Sequence, residues 1–209
     1  NSFLEFFPKI SIILNIEEDH MDFFKDIDDI RKSFRAFAHK LPDYGYLVLN
    51  GQIDNIPYIV DGLKADYVTF GLNNHDFDFN AQNISYDELG HASFDYYKKD
   101  VLIDHIHLNV PGEHNIKNAL AAIAVADKLN LSMDSVKKGL LVFTGAKRRF
   151  EKKGTCHGFT IIDDYAHHPT EIKATLKACK NYPHHEVWCI FQPHTYTRTY
   201  AFLDDFADR

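Results

Sequence analysis

The densest group of chemically active side chains in the 209-residue sequence lies in the segment TIIDDYAHHPTEI, residues 160–172. A predicted strand ends there in two carboxylates, and Pro169 favours the first turn of a following helix, where its missing N–H costs nothing. In parallel α/β sheets, ligands bind beyond the carboxyl ends of strands, near helix N-termini whose free N–H groups suit anions. The segment therefore predicts an anion site. The alternative is that Asp163 or Asp164 only caps the helix while His167 and His168 face solvent.

The segment VPGEHNIKNALAA, residues 110–122, places polar side chains at another helix start. Asn115 and Asn118 are three residues apart and share a helix face, with His114 beside them. An amide offers a donor and an acceptor together, which matches the edge of adenine. The alternative is that Asn115 is an N-cap and Asn118 an exposed helical residue.

The turn NIEEDHMD, residues 15–22, follows an apolar strand and offers Glu17, Glu18, Asp19 and His20. Carboxylates favour magnesium, whereas the imidazole by itself favours zinc. An acidic, solvated turn that caps the next helix is the alternative.

Two cationic segments could bind anionic groups. GAKRRF, residues 145–150, contains Arg149, and the fork of an arginine suits phosphate oxygens. FQPHTYTRT, residues 191–199, supplies His194 and Arg198 near a helix start, where they are suited to a substrate carboxylate. A solvated run of charge is the alternative for the first segment.

A zinc hydrolase or metal-binding module is a hypothesis from another class. His105 and His107 share one face of a strand, and His167 and His168 are adjacent. No third ligand is identifiable for the first pair. Stoichiometric zinc in the purified protein would favour this hypothesis.

The elements that must position these residues alternate along the chain. Strands are predicted at residues 11–16, 46–49 and 67–70, with helices at 23–41 and 56–63, which indicates a parallel sheet flanked by helices. Alternating residues from 76 to 110 predict two or three antiparallel strands in a small side sheet. Helices at 115–129 and 132–141 follow. A domain boundary is expected near Lys147, which gives domains 1–146 and 147–209. The elements predicted in the second domain are a strand at 158–163, a helix at 169–180, a strand at 187–191 and a helix from 196.

Composition narrows the class of protein. A net charge of −7 argues against non-specific binding to nucleic acid or to an anionic membrane surface. The longest apolar run, residues 119–126, falls far short of a membrane span. Three cysteines without a CxxC pair indicate free thiols and a cytoplasmic protein. The chain begins without Met and stops inside a predicted helix, so we expect it to be part of a longer protein.

Five segments in this order resemble the Mur ligase family: ILNIEEDHMDFF, VPGEHNIKNALAAIAVA, FTGAKRRFE, DDYAHHPTEI and FQPHTYTRT. The last two are most similar to the branch that adds L-alanine to UDP-N-acetylmuramate. The branch that recycles muropeptides is expected to carry DDFAHHP and to lack FQPHTYTRT, and it remains the alternative. The resemblance covers essentially the whole chain and implies a central ATPase domain followed by the first part of a Rossmann-like C-terminal domain.

The resemblance also implies an activity and a set of roles. ATP would phosphorylate the substrate carboxylate, and the amine of L-alanine would attack the acyl phosphate. Thr195 stands where some relatives carry a second arginine, so binding of the substrate carboxylate would depend more heavily on Arg198. The implied roles are magnesium binding by His20; adenine binding by His114, Asn115 and Asn118; contact with the ATP phosphates by Arg149; nucleotide contact by Asp164; contact with the alanine and acyl-phosphate end by Tyr165, His167, His194 and Arg198; and catalysis by Arg149, His167 and Arg198.

Several family features do not occur in this sequence. The phosphate-binding loop of the form GTxGKT, the UDP-binding domain and a catalytic glutamate are expected before Asn1, and the rest of the C-terminal domain after Arg209. We therefore expect the 209 residues by themselves to show no turnover.

Overall fold

Three parallel strands form one half of the main sheet. The computed structural model describes residues 2–19, 23–180, 182 and 184–207. A short 3-10 helix (Ser2–Glu5) precedes β1 (Ile10–Ile13), which pairs with β2 (Tyr46–Asn50), and β2 pairs with β3 (Asp66–Leu72). Helices α1 (Ile27–Ala38) and α2 (Ile56–Val60) connect these strands.

Three further strands complete a six-stranded sheet. β4 (Phe79–Tyr86) lies parallel to β3, while β5 (His91–Lys98) and β6 (Val101–Pro111) are antiparallel. The predicted α/β class with a parallel sheet flanked by helices is confirmed. The antiparallel strands expected between residues 76 and 110 continue the parallel sheet, because β4 pairs with β3.

Alternate residues of β2 build two cores on opposite faces of the sheet, as the two-residue period of a strand requires. Tyr46 and Val48 join the larger core, which α3 (Glu113–Lys128) covers with Ile116 and Leu120. Leu47 and Leu49 join the core beneath α1 and α2. The sheet is therefore buried between helical layers, and its strand ends are left to form a site. Helix α4 (Met133–Val142) packs beside β6.

The start of α1 shows why the predicted helix at residues 23–41 is shorter in the structure. Asp26 is the N-cap, and its side chain accepts a hydrogen bond from the backbone N–H of Asp29 at 2.8 Å. A carboxylate at this position satisfies a backbone donor that the helix leaves unpaired. Residues before the cap therefore lie outside the helix.

The C-terminal part contains a β-hairpin and three helices. β7 (Glu151–Cys156) pairs antiparallel with β8 (Phe159–Asp163), and α5 (Pro169–Cys179), α6 (Tyr196–Ala201) and α7 (Leu203–Ala207) follow. β8 was predicted from its sequence, whereas β7 was not, because its segment EKKGTC lacks apolar alternation. The division into domains 1–146 and 147–209 stays a prediction.

The predicted strand at residues 187–191 is wrong. This segment adopts neither helix nor strand, and Trp188 and Ile190 are 83% and 99% exposed. A strand needs a neighbour for its backbone hydrogen bonds, and the described part of the chain provides no paired strand beside this one. Among the described residues, no helix combines the length and apolar character needed to cross a membrane.

Candidate functional site

A cavity of about 760 Å³ lies between the main sheet and the C-terminal part. Its wall is built from the 3-10 helix, the loop after β1, α1, the end of β6, the start of α3, the connection from α4 to β7, and the start of α5. The polar residues that line it include Asn15, Glu17, Asp19, His114, Asn115, Asn118, Thr144, Arg149, Asp164, His168, Thr170, Glu171 and Thr175. All five residues assigned to the nucleotide by resemblance therefore lie on one cavity, although their roles stay predictions.

Gly112 lets the chain turn sharply into α3. Its φ of +97° lies in a region that residues other than glycine adopt only with strain. A Cβ atom on Gly112 would lie 2.7 Å from Cε1 of His114, so the histidine ring packs directly over the glycine. The glycine thus fixes where His114 enters the cavity.

The two asparagines of α3 form a chain of hydrogen bonds. Nδ2 of Asn115 donates to the carbonyl oxygen of Pro111 at 2.7 Å, and Nδ2 of Asn118 donates to Oδ1 of Asn115 at 3.2 Å. Because the oxygen of Pro111 can only accept, the orientation of both amides follows. These bonds leave Oδ1 and a second N–H of Asn118 as an acceptor and donor pair at the cavity.

The surroundings of His114 favour its neutral form. Its pKa is lowered chiefly because the surrounding protein displaces water from the ring, although an edge is exposed to the cavity. Arg149 lowers the pKa further, whereas Asp164, Glu171 and Glu113 oppose the change. A neutral imidazole suits contact with an uncharged base better than contact with a phosphate.

Asp164 stabilises the start of the C-terminal part through three hydrogen bonds. Oδ2 accepts hydrogen bonds from the backbone N–H of Phe150 at 2.9 Å and from Oγ1 of Thr175 at 3.1 Å, and Oδ1 accepts from the N–H of Ala166 at 2.7 Å. The carboxylate therefore joins β8, α5 and the segment that carries Arg149.

The cap of α5 is His168. Its Nδ1 accepts from the N–H of Thr170 at 3.4 Å, and Glu171 completes a capping box. The alternative that Asp163 or Asp164 caps this helix is therefore wrong. Nε2 of His168 donates to the carbonyl oxygen of Glu18 at 3.1 Å, which joins α5 to the loop after β1.

Glu171 is a site residue that the sequence analysis did not single out. Oε1 accepts from Arg149 at 3.2 Å, and Oε2 accepts from the backbone N–H groups of His167 and His168 at 3.1 and 3.4 Å. A glutamate three residues after the N-cap is the known signal of a capping box, and it was available in the sequence HPTE. The contact with Arg149 carries no such signal, because the two residues are 22 apart.

The residues assigned to the alanine end are not part of the cavity wall. Tyr165 and His167 contact each other with ring centroids 5.1 Å apart, and Nδ1 of His167 donates to the carbonyl oxygen of Tyr165 at 2.8 Å. NH1 of Arg198 donates to the carbonyl oxygen of His194 at 2.6 Å. The structure therefore groups them in two pairs.

Arg198 also joins α6 to the acidic loop. Its Nε and NH2 donate to Oδ1 of Asp19 at 3.1 and 2.7 Å, and the arginine side chain is only 9% exposed. Asp19 lines the cavity, so Arg198 lies just behind its wall.

His20, the predicted magnesium ligand, lies outside the described residues. Glu17 and Asp19 place carboxylates on the cavity wall. Within the residues that the structure describes, no group of three or more His, Cys, Asp or Glu side chains is arranged to hold a metal ion. Phosphates and waters usually complete a magnesium site, so the carboxylate of Glu17 fits that ion as one oxygen ligand, whereas Asp19 is paired with Arg198.

The histidines of the zinc hypothesis are engaged in separate contacts. Nδ1 of His105 lies 2.9 Å from Oδ1 of Asp95, and Nδ1 of His107 lies 2.8 Å from Oγ of Ser93. Both partners are on β5, whereas His167 and His168 are at the start of α5. Nothing in the described arrangement joins the two pairs into one site.

Comparison with known families matches both parts of the chain. Residues 2–126 match the Mur ligase middle domain, and residues 148–209 match the Mur ligase glutamate ligase domain.

Curated relatives match along almost the entire chain. The UDP-N-acetylmuramate–L-alanine ligase of Lachnoclostridium phytofermentans is 51% identical over 216 residues, covering 99% of this chain and 46% of that protein. The enzyme of the same name from Clostridium acetobutylicum is 52% identical over 207 residues, covering 99% of this chain and 45% of that protein. The chain thus spans slightly less than half the length of these relatives.

Solved structures share the fold. MurF from Acinetobacter baumannii has a TM-score of 0.76 at 26% identity, covering 87% of this chain and 39% of that one. The UDP-N-acetylmuramate-alanine ligase MurC from Thermotoga maritima has a TM-score of 0.71 at 28% identity, covering 85% and 39%. The MurF ligase from Thermotoga maritima, solved in complex with ADP, has the same fold with a TM-score of 0.69 at 18% identity, covering 84% and 40%.

Proposed function

Because this chain belongs to the Mur ligase family, we propose that it supplies the nucleotide site of an ATP-dependent ligase that joins L-alanine to the lactyl carboxylate of UDP-N-acetylmuramate. The observation that carries the proposal is the convergence of His114, Asn118 and Arg149 on one cavity from two separate segments. Relatives about half identical along the chain carry the name of this activity.

The nucleotide would lie with its base on α3. Asn118 offers an acceptor and a donor, which match N6–H and N1 or N7 of adenine. Arg149, whose side chain is about half exposed, is the cation for the phosphates. The neutral state of His114 suits the base.

The reaction would proceed in two steps. The substrate carboxylate takes the γ-phosphoryl group, which gives an acyl phosphate and ADP, and the amine of L-alanine then attacks the acyl carbon, which releases phosphate. Arg149 would offset the phosphoryl charge, and Arg198 would bind the carboxylate of L-alanine in exchange for its present partner Asp19. His167, whose Nδ1 is engaged by the carbonyl of Tyr165, keeps Nε2 for the acyl-phosphate end. Tyr165 and His194 complete the substrate contacts.

Magnesium would bind at the loop after β1, with His20 as a ligand beside the carboxylate of Glu17. The ion would offset phosphate charge when bound. We place the enzyme in the cytoplasm, since its three cysteines are free thiols. The net charge of −7 supports small-molecule substrates over nucleic acid or an anionic membrane surface.

The substitution Asn118→Leu tests the nucleotide site. Leucine is nearly isosteric but removes both hydrogen-bonding groups, so we expect ATP to bind at least about tenfold more weakly, as the loss of two hydrogen bonds implies. Isothermal titration of the complete protein with ATP and magnesium measures this. Lys117→Leu, one residue earlier on the same helix and away from the cavity, is the matched control. Equal affinity in Asn118→Leu and the unaltered protein would remove the adenine assignment.

Release of ADP by the complete protein tests the substrates. We expect release to require both UDP-N-acetylmuramate and L-alanine. Turnover with a muropeptide in place of L-alanine would instead identify the recycling branch of the family.

A further inference from the structure

Glu171 is a carboxylate of the cavity wall that contacts both Arg149 and the turn that carries His167. It lies in the first turn of α5 with its side chain 34% exposed. One oxygen accepts from Arg149, and the other accepts from the backbone of His167 and His168. Glu171 therefore joins the guanidinium of Arg149 itself to the turn that carries His167, whereas Asp164 joins only the backbone of the neighbouring residues Phe150 and Ala166.

The carboxylate is held in its charged form. Burial acts to raise the pKa of Glu171, but the backbone N–H of His167 and the guanidinium of Arg149 outweigh it, so the pKa lies below its usual value. The lowered pKa agrees with the hydrogen-bond geometry.

A helix cap does not by itself require this charge. The capping box accepts either Glu or Gln at this position, since an amide oxygen also accepts from the backbone. The contact with Arg149 gains most from a negative charge, although Nδ1 of His167, 3.6 Å from Oε2, and the N-terminal end of α5 also favour a carboxylate.

An exposed ion pair contributes little when both side chains move freely. Here the two backbone hydrogen bonds fix Oε2, so Oε1 is already in place for the guanidinium. Less conformational freedom is then lost when Arg149 is held, which is the usual benefit of preorganisation.

We propose that Glu171 is a positioning residue that holds Arg149 toward the phosphate end of the nucleotide and couples it to the turn that bears His167. This inference rests on the proposed function, because it acts through the role of Arg149. Glu171 is assigned no direct part in the reaction, because its role is exerted through Arg149.

The substitution Glu171→Gln in the complete protein separates the two roles of this side chain. Glutamine keeps the cap and loses the charge, so we expect the KM for ATP to rise about tenfold, while the KM for L-alanine and the Tm stay near those of the unaltered protein. Lys177→Gln is the matched control, because it removes an exposed ion pair with Glu113 from the same helix without touching the cavity. An unchanged KM for ATP in Glu171→Gln would overturn the proposal.

A double-mutant cycle with Arg149→Ala shows whether Glu171 acts through Arg149. We expect Glu171→Gln to have no further effect on ATP binding once Arg149 is removed. Additive losses would mean that Glu171 acts through the helix, and they would overturn this inference while leaving the proposed function intact. If Arg149→Ala does not weaken ATP binding, the assignment of Arg149 in the proposed function fails first, and the inference fails with it.

Discussion

At the scale of single residues, polar side chains in this site also make hydrogen bonds and ion pairs that hold the protein together. Asp164 binds three partners within the protein, and Arg198 is paired with Asp19. Residue type therefore did not predict these contacts, and the catalytic roles of these side chains stay predictions. His114 differs, because its surroundings determine its charge.

The lowered pKa of His114 predicts a pH dependence of stability. Between its folded pKa and about 6.5, the unfolded chain binds more protons at this residue than the folded chain does. The contribution of neutral His114 to the free energy of unfolding is complete above about pH 6.5. It is lost as the pH falls through the pKa of the folded state. We expect His114→Asn to reduce this loss.

Guanidinium unfolding at a series of pH values measures the effect. His157→Asn, on the exposed turn between β7 and β8, is the control and should keep the pH dependence of the unaltered protein. If His114→Asn shows the same slope as that control, the ring is not held neutral by the fold.

At the scale of elements, the helix starts place the site. Periodicity predicted α3 and α5 to within two residues at each end, because the apolar positions of a helix and its capping residues are neighbours in sequence. Two segments differ from prediction in opposite ways: β7 is a strand that was not predicted, and residues 187–191 are a predicted strand that does not form. Pairing with β8 makes a strand of the polar segment EKKGTC, whereas the apolar segment at 187–191 has no paired neighbour among the described residues.

The turn into α3 gives a prediction at this scale. Gly112→Ala should destabilise the protein by about 1–3 kcal/mol, because alanine strains at this φ, and it should also weaken ATP binding by displacing the His114 ring. Gly139→Ala in α4 is the matched control, since a Cβ there meets no atom within 4 Å. It should stabilise the helix by about 0.5–1 kcal/mol. Chemical denaturation of both variants checks the pair, and similar changes in both would contradict the role given to Gly112.

At the scale of the whole molecule, two contacts tie the loop after β1 to the C-terminal part. Arg198 reaches Asp19 across 179 residues of sequence, and His168 reaches the carbonyl of Glu18 across 150. The acidic loop is therefore set in place by the part of the chain that closes the cavity from the other side.

Asp19→Asn tests this connection. It leaves the nearly buried guanidinium of Arg198 without its charged partner, so we expect the contact to lose about 1.5–3 kcal/mol, and the amides of residues 196–201 to exchange hydrogen faster. Hydrogen exchange followed by mass spectrometry measures the change. Lys177→Gln removes an exposed ion pair and should leave exchange in α6 unaltered. Protection of residues 196–201 that survives Asp19→Asn would show that other contacts hold α6.

The sequence by itself determined the class of the fold and the α3 and α5 helices, and it singled out five residues that line one cavity, whose nucleotide roles stay predictions. These follow from short-range periodicity and from motifs in which neighbouring residues carry the information. Tertiary structure decided that His168 caps α5, that Glu171 binds Arg149, that Arg198 pairs with Asp19, and that residues 187–191 form no strand. Each of these depends on hydrogen-bond partners that packing brings together, and the local sequence does not specify which distant group will satisfy them.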